Sequence, residues 1–280
     1  MPYRKSRSKW MIYVIVTAFA LVMIYPLLWM ISSSFKPQSI IFRDMGLWPT
    51  SFTLENYKAG WRGVSGISFT TFYINTLMIV ALAIIGNILT CSMAAYAFSR
   101  IDFTLKKTLF AAMLATIMLP YHVVLIPQYM IFHQLGWINT YYPLIVPKFL
   151  ATDAFFIFLM VQFIRGLPQE LDQAAIVDGC NPIQIYKRIT LPLLQPALVT
   201  TSIFTFIWTW NDFFSQLIYI STPRLFTISL GLRMFLDSEG TSNWGSMFAM
   251  STLSLVPVFL FFIFFQRLII DGISTSGLKG

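Results

Sequence analysis

Charge is scarce in this sequence. Asp, Glu, Lys and Arg supply 11% of its 280 residues, where a soluble globular domain carries about a quarter. With 57% hydrophobic residues and a mean hydropathy of +0.71, a single water-soluble core is excluded, and lipid must cover much of the apolar surface. Cysteine is nearly absent. Cys91 stands in an apolar run and Cys180 in a loop, which excludes a disulfide framework and makes both packing residues. His122 and His133 have no neighbours at ligand spacing, so they read as structural histidines and no metal centre is expected. No Gly-x-x-x-x-Gly-Lys-Ser/Thr segment occurs, so the chain cannot hold and split ATP through a P-loop. Repeats, low-complexity runs and a separate soluble domain are also missing, leaving one membrane domain over 1–280. Acid is the scarcer sign, with 11 Asp+Glu against 19 Lys+Arg. The bases are scattered through short segments and form no dense patch, which argues for membrane topology and against nucleic acid.

What is abundant is long apolar sequence. A spanning helix needs about 20 mostly apolar residues, and six stretches qualify: Met11–Ile31, Phe72–Phe98, Thr108–Ile131, Pro143–Ile164, Ala197–Ile220 and Met247–Gln266. The first follows Arg4, Lys5, Arg7 and Lys9 and contains Ala18-Phe19-Ala20, the form of a signal-peptide cleavage site. Cutting there would split one apolar segment, so a retained helix is expected. An N-terminus inside leaves twelve bases in the cytoplasm and seven outside, the sign the positive-inside rule requires. Both ends are then cytoplasmic. Of the outer segments, Ser32–Thr71 and Ser221–Ser246 are long, and both read as surface loops with room for short interfacial helices.

The inner segment between the fourth and fifth spans, Pro168–Pro192, is punctuated most clearly. Pro168 suits a helix start, and Glu170 favours the positive end of the helix dipole. Leu171, Ala174, Ala175 and Asp178 follow i, i+3, i+4, i+7 on one face. Gly179 is placed to end this helix in a left-handed conformation. Asn181 can cap the next helix with Pro182 at its first position, and Leu191-Pro192 is expected to stop it. The product is a short helix with small side chains, held at the membrane surface by two spans and suited to lying against a partner's backbone.

At these residues the chain resembles the permease subunits of binding-protein-dependent ABC importers, whose "EAA" loop runs Glu-Ala-Ala, three residues to Gly, then Ile-x-Leu-Pro. The matching residues are Ala174, Ala175, Asp178, Gly179, Ile189, Leu191 and Pro192, with Glu170 and Leu171 in the same helix. Gln173 departs from the pattern, standing where the family often has Glu; an exposed ion pair is worth about 0–1 kcal/mol, so the loop's role survives the change. Ser33–Pro37, Thr53–Tyr57, Ala94–Phe98, Met118–Pro120, Leu135–Thr140, Trp210–Phe213 and the tail Asp271–Gly280 extend the resemblance over the whole chain. They narrow it to the carbohydrate-uptake group, and within it to the shorter permease of the maltose-type pair.

The resemblance implies an all-α membrane protein with six transmembrane helices and the type I importer permease (MetI-like) fold, in a bacterial cytoplasmic membrane. It implies a second related permease, two ATPase subunits that bind ATP and Mg, and an extracytoplasmic solute-binding protein. Glu170, Leu171, Gln173, Ala174, Ala175, Asp178, Gly179, Ile189, Leu191 and Pro192 become candidates for coupling to the ATPase, with no catalytic, cofactor-binding or metal-binding residue in this chain. Trp210, Asn211, Asp212 and Gln216 lie at membrane depth in the fifth span. An acid there costs about 2.5–3.5 kcal/mol, so the group faces either a watery solute path or a neighbouring helix, as a gate or as packing. A sugar, oligosaccharide, polyol or glycerol phosphate would suit the family. The alternatives are a secondary transporter driven by an ion gradient, which usually shows a duplicated inverted pattern, and a lipid-modifying enzyme, which would need an acid/base or metal cluster.

Overall fold

The computed structural model describes residues 6–236 and 242–277, with side chains from Trp10 to Leu236 and from Ser242 to Phe265. Four helices are long and apolar enough to cross a membrane: Trp10–Ser34, Phe69–Arg100, Tyr142–Arg165 and Trp244–Phe265. Two bent pairs raise the number to six if each is one span. In chain order the α-helices are α1 (Ser6–Ser34), α2 (Glu55–Arg62), α3 (Phe69–Arg100), α4 (Lys106–Ile117), α5 (Tyr121–Gln134), α6 (Tyr142–Ile145) and α7 (Ala154–Arg165). Then come α8 (Glu170–Val177), α9 (Pro182–Ile185), α10 (Leu191–Leu193), α11 (Gln195–Trp210), α12 (Phe214–Tyr219), α13 (Ile228–Met234) and α14 (Trp244–Gly277). Among the described residues there is no strand, only an isolated bridge between Val64 and Ile67.

The third expected span is not straight. α4 and α5 meet at 107° because Pro120 follows Leu119 and biases it away from helical backbone. The helical stretch Pro182–Leu193, which ends in α10, meets α11 at 73° at Leu194, next to Pro196 in the first turn of α11. The fifth expected span also breaks at its far end, where residues 211–213 separate α11 from α12. Hydropathy averages across such breaks, so the apolar run looked continuous.

Two compact units form, Met1–Thr70 with Gly231–Pro257 and Thr71–Leu230 with Val258–Gly280. In the first unit, the segment expected to be surface loop begins as core: Ser33, Ser34, Lys36 and Ile41 are fully buried. Lys36 Nζ donates to the main-chain oxygens of Asp44 (2.7 Å) and Gly46 (2.6 Å). Asn56 on α2 donates to the main-chain oxygens of Ser34 (2.8 Å) and Lys36 (2.7 Å), so α2 ties down the turn after α1. Gly60 faces Met250, where an added Cβ would lie 2.9 Å from the side chain. Lys36 is one of the seven bases that the positive-inside reading leaves outside; its two main-chain acceptors and the Asp44 carboxylate at 3.6 Å explain how a lysine can be buried there.

The second unit is organised around α3. One core cluster joins Cys91, Ala95 and Tyr96 of α3 to Phe156, Ile157, Met160, Val161 and Ile164 of α7, with Ala175, Ile185, Leu194 and Ala197. Polar contacts cross the same helix. Asn87 donates to Thr205 Oγ1 of α11 (3.0 Å), and Thr90 donates to the main-chain oxygen of Lys148 (2.9 Å). Gly86 lets that backbone approach, since a Cβ there would lie 2.9 Å from the carbonyl carbon of Lys148. Lys148 pairs with Asp153 at 2.9 Å. Both lie before α7, in the irregular stretch that includes the 3-10 turn Val146–Leu150.

Candidate functional site

The first part of the segment between α7 and α11, from α8 to the start of α9, folds as its punctuation dictates. α8 starts at Glu170, with acids Glu170 and Asp172 in its first turn, where they complement the helix dipole. Gly179 has φ +80°. Its N–H donates to Ile176 O (3.0 Å) and the Cys180 N–H to Ala175 O (2.9 Å), the paired bonds of a Schellman motif. Asn181 then caps α9 reciprocally. Its Oδ1 accepts from the Gln184 N–H (2.9 Å), and its own N–H donates to Gln184 Oε1 (2.8 Å). Gln184 completes a capping box that sequence reading did not single out.

Leu191-Pro192 does not stop the second helix. Tyr186–Thr190 widens into a π turn and the chain continues through α10, with Leu194 N–H on Thr190 O at 2.8 Å. A proline clashes with the carbonyl four residues back and leaves it without a donor. The wider turn just before Pro192 relieves that conflict without ending the helix. The helical path breaks at Leu194.

The two alanines of α8 part company. Ala175 is 6% exposed and packs into the α3–α7 core, whereas Ala174 is exposed. Glu170, Leu171, Gln173, Asp178 and Gly179 are exposed with it. Val177, at 87% exposure, and Ile176, at 62%, present the largest apolar surface of the helix to the outside, and neither was among the residues singled out from the sequence. Ile189 packs against the core cluster, Leu191 is half-buried and Pro192 exposed. Tyr186 reaches Ser92 of α3, hydroxyl to hydroxyl, at 2.7 Å.

Sequence reading missed the pair that anchors this loop. Arg100, in the last turn of α3, places Nε 2.7 Å from Asp172 Oδ2. Its Nη2 donates to Leu167 O at 2.9 Å. No spacing rule joins residues so far apart in sequence, and in the sequence Arg100 is only one of the twelve bases assigned to the cytoplasm.

The residues of the fifth span do not form one cluster. Trp210 and Gln216 are buried, Asp212 is half-buried and Asn211 is exposed. The Trp210 ring stacks on Phe206 at 5.3 Å. Asn211 donates to Ile207 O (2.8 Å), and Asp212 Oδ1 accepts from the Ser215 N–H (3.1 Å) at the start of α12. Gln216 Oε1 accepts from the Thr227 hydroxyl. His122 and His133 are exposed, with His122 edge-on to Phe214 at 5.2 Å. Among the described residues no group of His, Cys, Asp and Glu could hold a metal ion.

Residues 86–275 match the family described as "Binding-protein-dependent transport system inner membrane component". The chain belongs to that family. This permease is 34% identical over 281 residues to a probable ABC transporter permease protein of Bacillus subtilis, YurM, covering 99% of this chain and 92% of that protein. It is 31% identical over 263 residues to the trehalose/maltose transport system permease protein MalG of Thermococcus litoralis, covering 93% of each. A chain from a bacterial ABC transporter that imports the acidic polysaccharide alginate has the same fold. It gives a TM-score of 0.84 at 21% identity, covering 95% of this chain and 99% of that one. The permease is accordingly a multi-pass integral membrane subunit of an ABC importer, a complex that includes ATPase and binding-protein partners. It is a transport subunit and not a hydrolase; ATP hydrolysis belongs to the partner ATPases.

Proposed function

We propose that this chain carries a carbohydrate across a bacterial cytoplasmic membrane and takes its driving force through α8. The observation that carries the reading is the geometry of α8. It is fixed inward by Ala175 and by the Schellman turn, and it presents Leu171, Ala174, Ile176 and Val177 outward. Burying one Leu, Ile or Val side chain completely is worth about 1.5–3 kcal/mol, enough for an exposed apolar edge of this size to seat in a groove on an ATPase subunit.

The assembly is one of these chains, a second related permease, two ATPase subunits holding ATP and Mg, and an extracytoplasmic solute-binding protein. Each bent helix pair counts as one crossing, so the chain spans six times with both ends cytoplasmic. Closure of the ATPases pushes α8 and turns the bundle outward. The binding protein delivers solute to the outer segments, among them Ser221–Ser246. Residues 237–241 of that segment and the side chains of the tail Asp271–Gly280, expected near the ATPase, lie outside the described residues. Asn211 and Asp212, at the break between α11 and α12, stand as the gate or pathway pair. Trp210 and Gln216 support that break from the packed side. The carbohydrate reading is supported by the 31% identity to a trehalose/maltose permease and by the whole-chain resemblance to the shorter maltose-type subunit.

The test is made on the assembled complex in proteoliposomes. Gly179→Val and Ala175→Glu, which disturb the seating of α8, should abolish both solute-stimulated ATP hydrolysis and uptake. Retention of both activities at full level would refute the coupling role.

A further inference from the structure

The ion pair at the root of α8 sits where a transmission element is needed. We propose that Arg100 and Asp172 form a latch that carries displacement of α8 into α3, making them positioning residues for coupling; this rests on α8 being the helix that docks on the ATPase.

Arg100 ends a helix of 32 residues, and Asp172 lies in the first turn of α8. The charged atoms are 2.7 Å apart, with side chains 9% and 18% exposed. The same guanidinium holds Leu167 O, so one side chain grips both the helix and the strand of chain leading into it. The competing charges nearby are engaged elsewhere or point outward. Lys106 pairs with Asp102 at 3.3 Å, Arg165 lies over the Phe110 ring at 5.1 Å, and Glu170 and Asp178 are exposed.

The other inward contact of α8 is the Ala175 methyl, an apolar touch that resists sliding poorly because it has no preferred direction. A short ion pair removed from solvent does resist it: Arg100 Nε and Asp172 Oδ2 approach to 2.7 Å without hydrogen-bond geometry, but their attraction is weakly screened, and the Nη2 bond of the same guanidinium to Leu167 O supplies the direction. Pulling α8 away would strand a buried charge, which is strongly unfavourable. Motion of α8 must therefore move the end of α3. From there the buried Asn87–Thr205 bond, 3.0 Å long, reaches α11, which ends at Trp210 beside Asn211 and Asp212. The latch thus begins a contiguous path from the cytoplasmic helix to the break in the fifth span, each step a packed or hydrogen-bonded contact.

The experiment uses the complete complex in proteoliposomes, measuring uptake and ATP hydrolysis together. Asp172→Asn keeps size and shape but removes the charge. It should still co-purify with the ATPase and hydrolyse ATP, while solute moved per ATP falls about tenfold, an ordinary size for a coupling effect. The exchange Arg100→Asp with Asp172→Arg should recover at least half of that ratio, which general loss of structure could not produce; it carries the test if Asp172→Asn assembles poorly. A wild-type ratio in Asp172→Asn, or an exchanged pair no better than the single variant, overturns the latch. Val177→Glu, run in parallel, separates this from the docking assignment. If it releases the ATPase while Asp172→Asn is silent, the latch alone is wrong. If it leaves the complex intact and coupled, the docking assignment falls and the latch with it.

Discussion

Substituting Gly179 should loosen the end of α8 by a calculable amount. Gly179 has φ +80°, and a Cβ built there meets no heavy atom within 4 Å, so the penalty is one of backbone and not of crowding. A left-handed conformation costs a residue with a Cβ about 1–2 kcal/mol. Reduced freedom of the unfolded chain returns about 0.4–1 kcal/mol of that, leaving about 1 kcal/mol, or roughly fivefold in local opening, for Gly179→Ala. Gly179→Asn should cost less, because Asn tolerates the region, and Gly179→Val more, because its branched Cβ does not. The bonds at stake are Gly179 N–H to Ile176 O and Cys180 N–H to Ala175 O. Amide hydrogen exchange of a peptide covering 176–182, on the purified permease in lipid nanodiscs, reads their opening. The order of exchange should be Gly, Asn, Ala, Val from slowest to fastest. Wild-type exchange in Gly179→Ala, or Asn faster than Val, would refute the argument.

Two further perturbations test the first unit. Lys36→Met would strand the main-chain oxygens of Asp44 and Gly46, now bonded at 2.7 and 2.6 Å. Each stranded group costs about 1–3 kcal/mol, so tryptic cleavage at Arg43 should rise well above wild type; unchanged cleavage would remove Lys36 from the structural core. The Asp44 carboxyl is held below its ordinary value of 3.8, chiefly by the Thr50 N–H, then by the Gly46 N–H, the Thr50 hydroxyl and Lys36, against a partial opposing effect of desolvation. A lowered folded value stabilises the turn fully above the unfolded pKa and loses that contribution as pH falls through the folded one. Exchange of the Thr50 amide, corrected for intrinsic chemistry, should be flat from pH 8 to about 5 and accelerate below about 4. Asp44→Asn should abolish that acceleration.

The parts of the molecule legible in the sequence were those written locally. Pro, Gly and Asn punctuate residues 168–182, so the α8 start, the left-handed Gly179 and the Asn181 cap could each be placed from neighbours a few residues away. The long apolar helices were legible for the same reason. What escaped depended on distant partners. Lys36 reads as an exposed cation because two of its partners are main-chain oxygens, which carry no residue-type signal, and the third, the Asp44 carboxylate at 3.6 Å, is brought to it by the fold. Arg100 and Asp172 meet only after α7 returns the chain. The bend at Pro120 and the break at residues 211–213 disappear in averaged hydropathy. Pro192 looked like a stop because nothing in sequence announces a π turn before it. The inward turn of Ala175 and the outward exposure of Val177 follow from how α8 rests on α3 and α7, which periodicity alone does not fix.

On the proposed mechanism, transport by this permease runs on ATP hydrolysed elsewhere and delivered through α8. The direct measurement is uptake of a radiolabelled carbohydrate retained by the binding protein into proteoliposomes holding the permease pair, with and without the ATPase subunits, in the presence of the binding protein and internal ATP and Mg. Uptake should appear only with the ATPase present and stop when Val177→Glu is introduced. Accumulation of that carbohydrate without the ATPase, driven by an imposed ion gradient, would contradict the account.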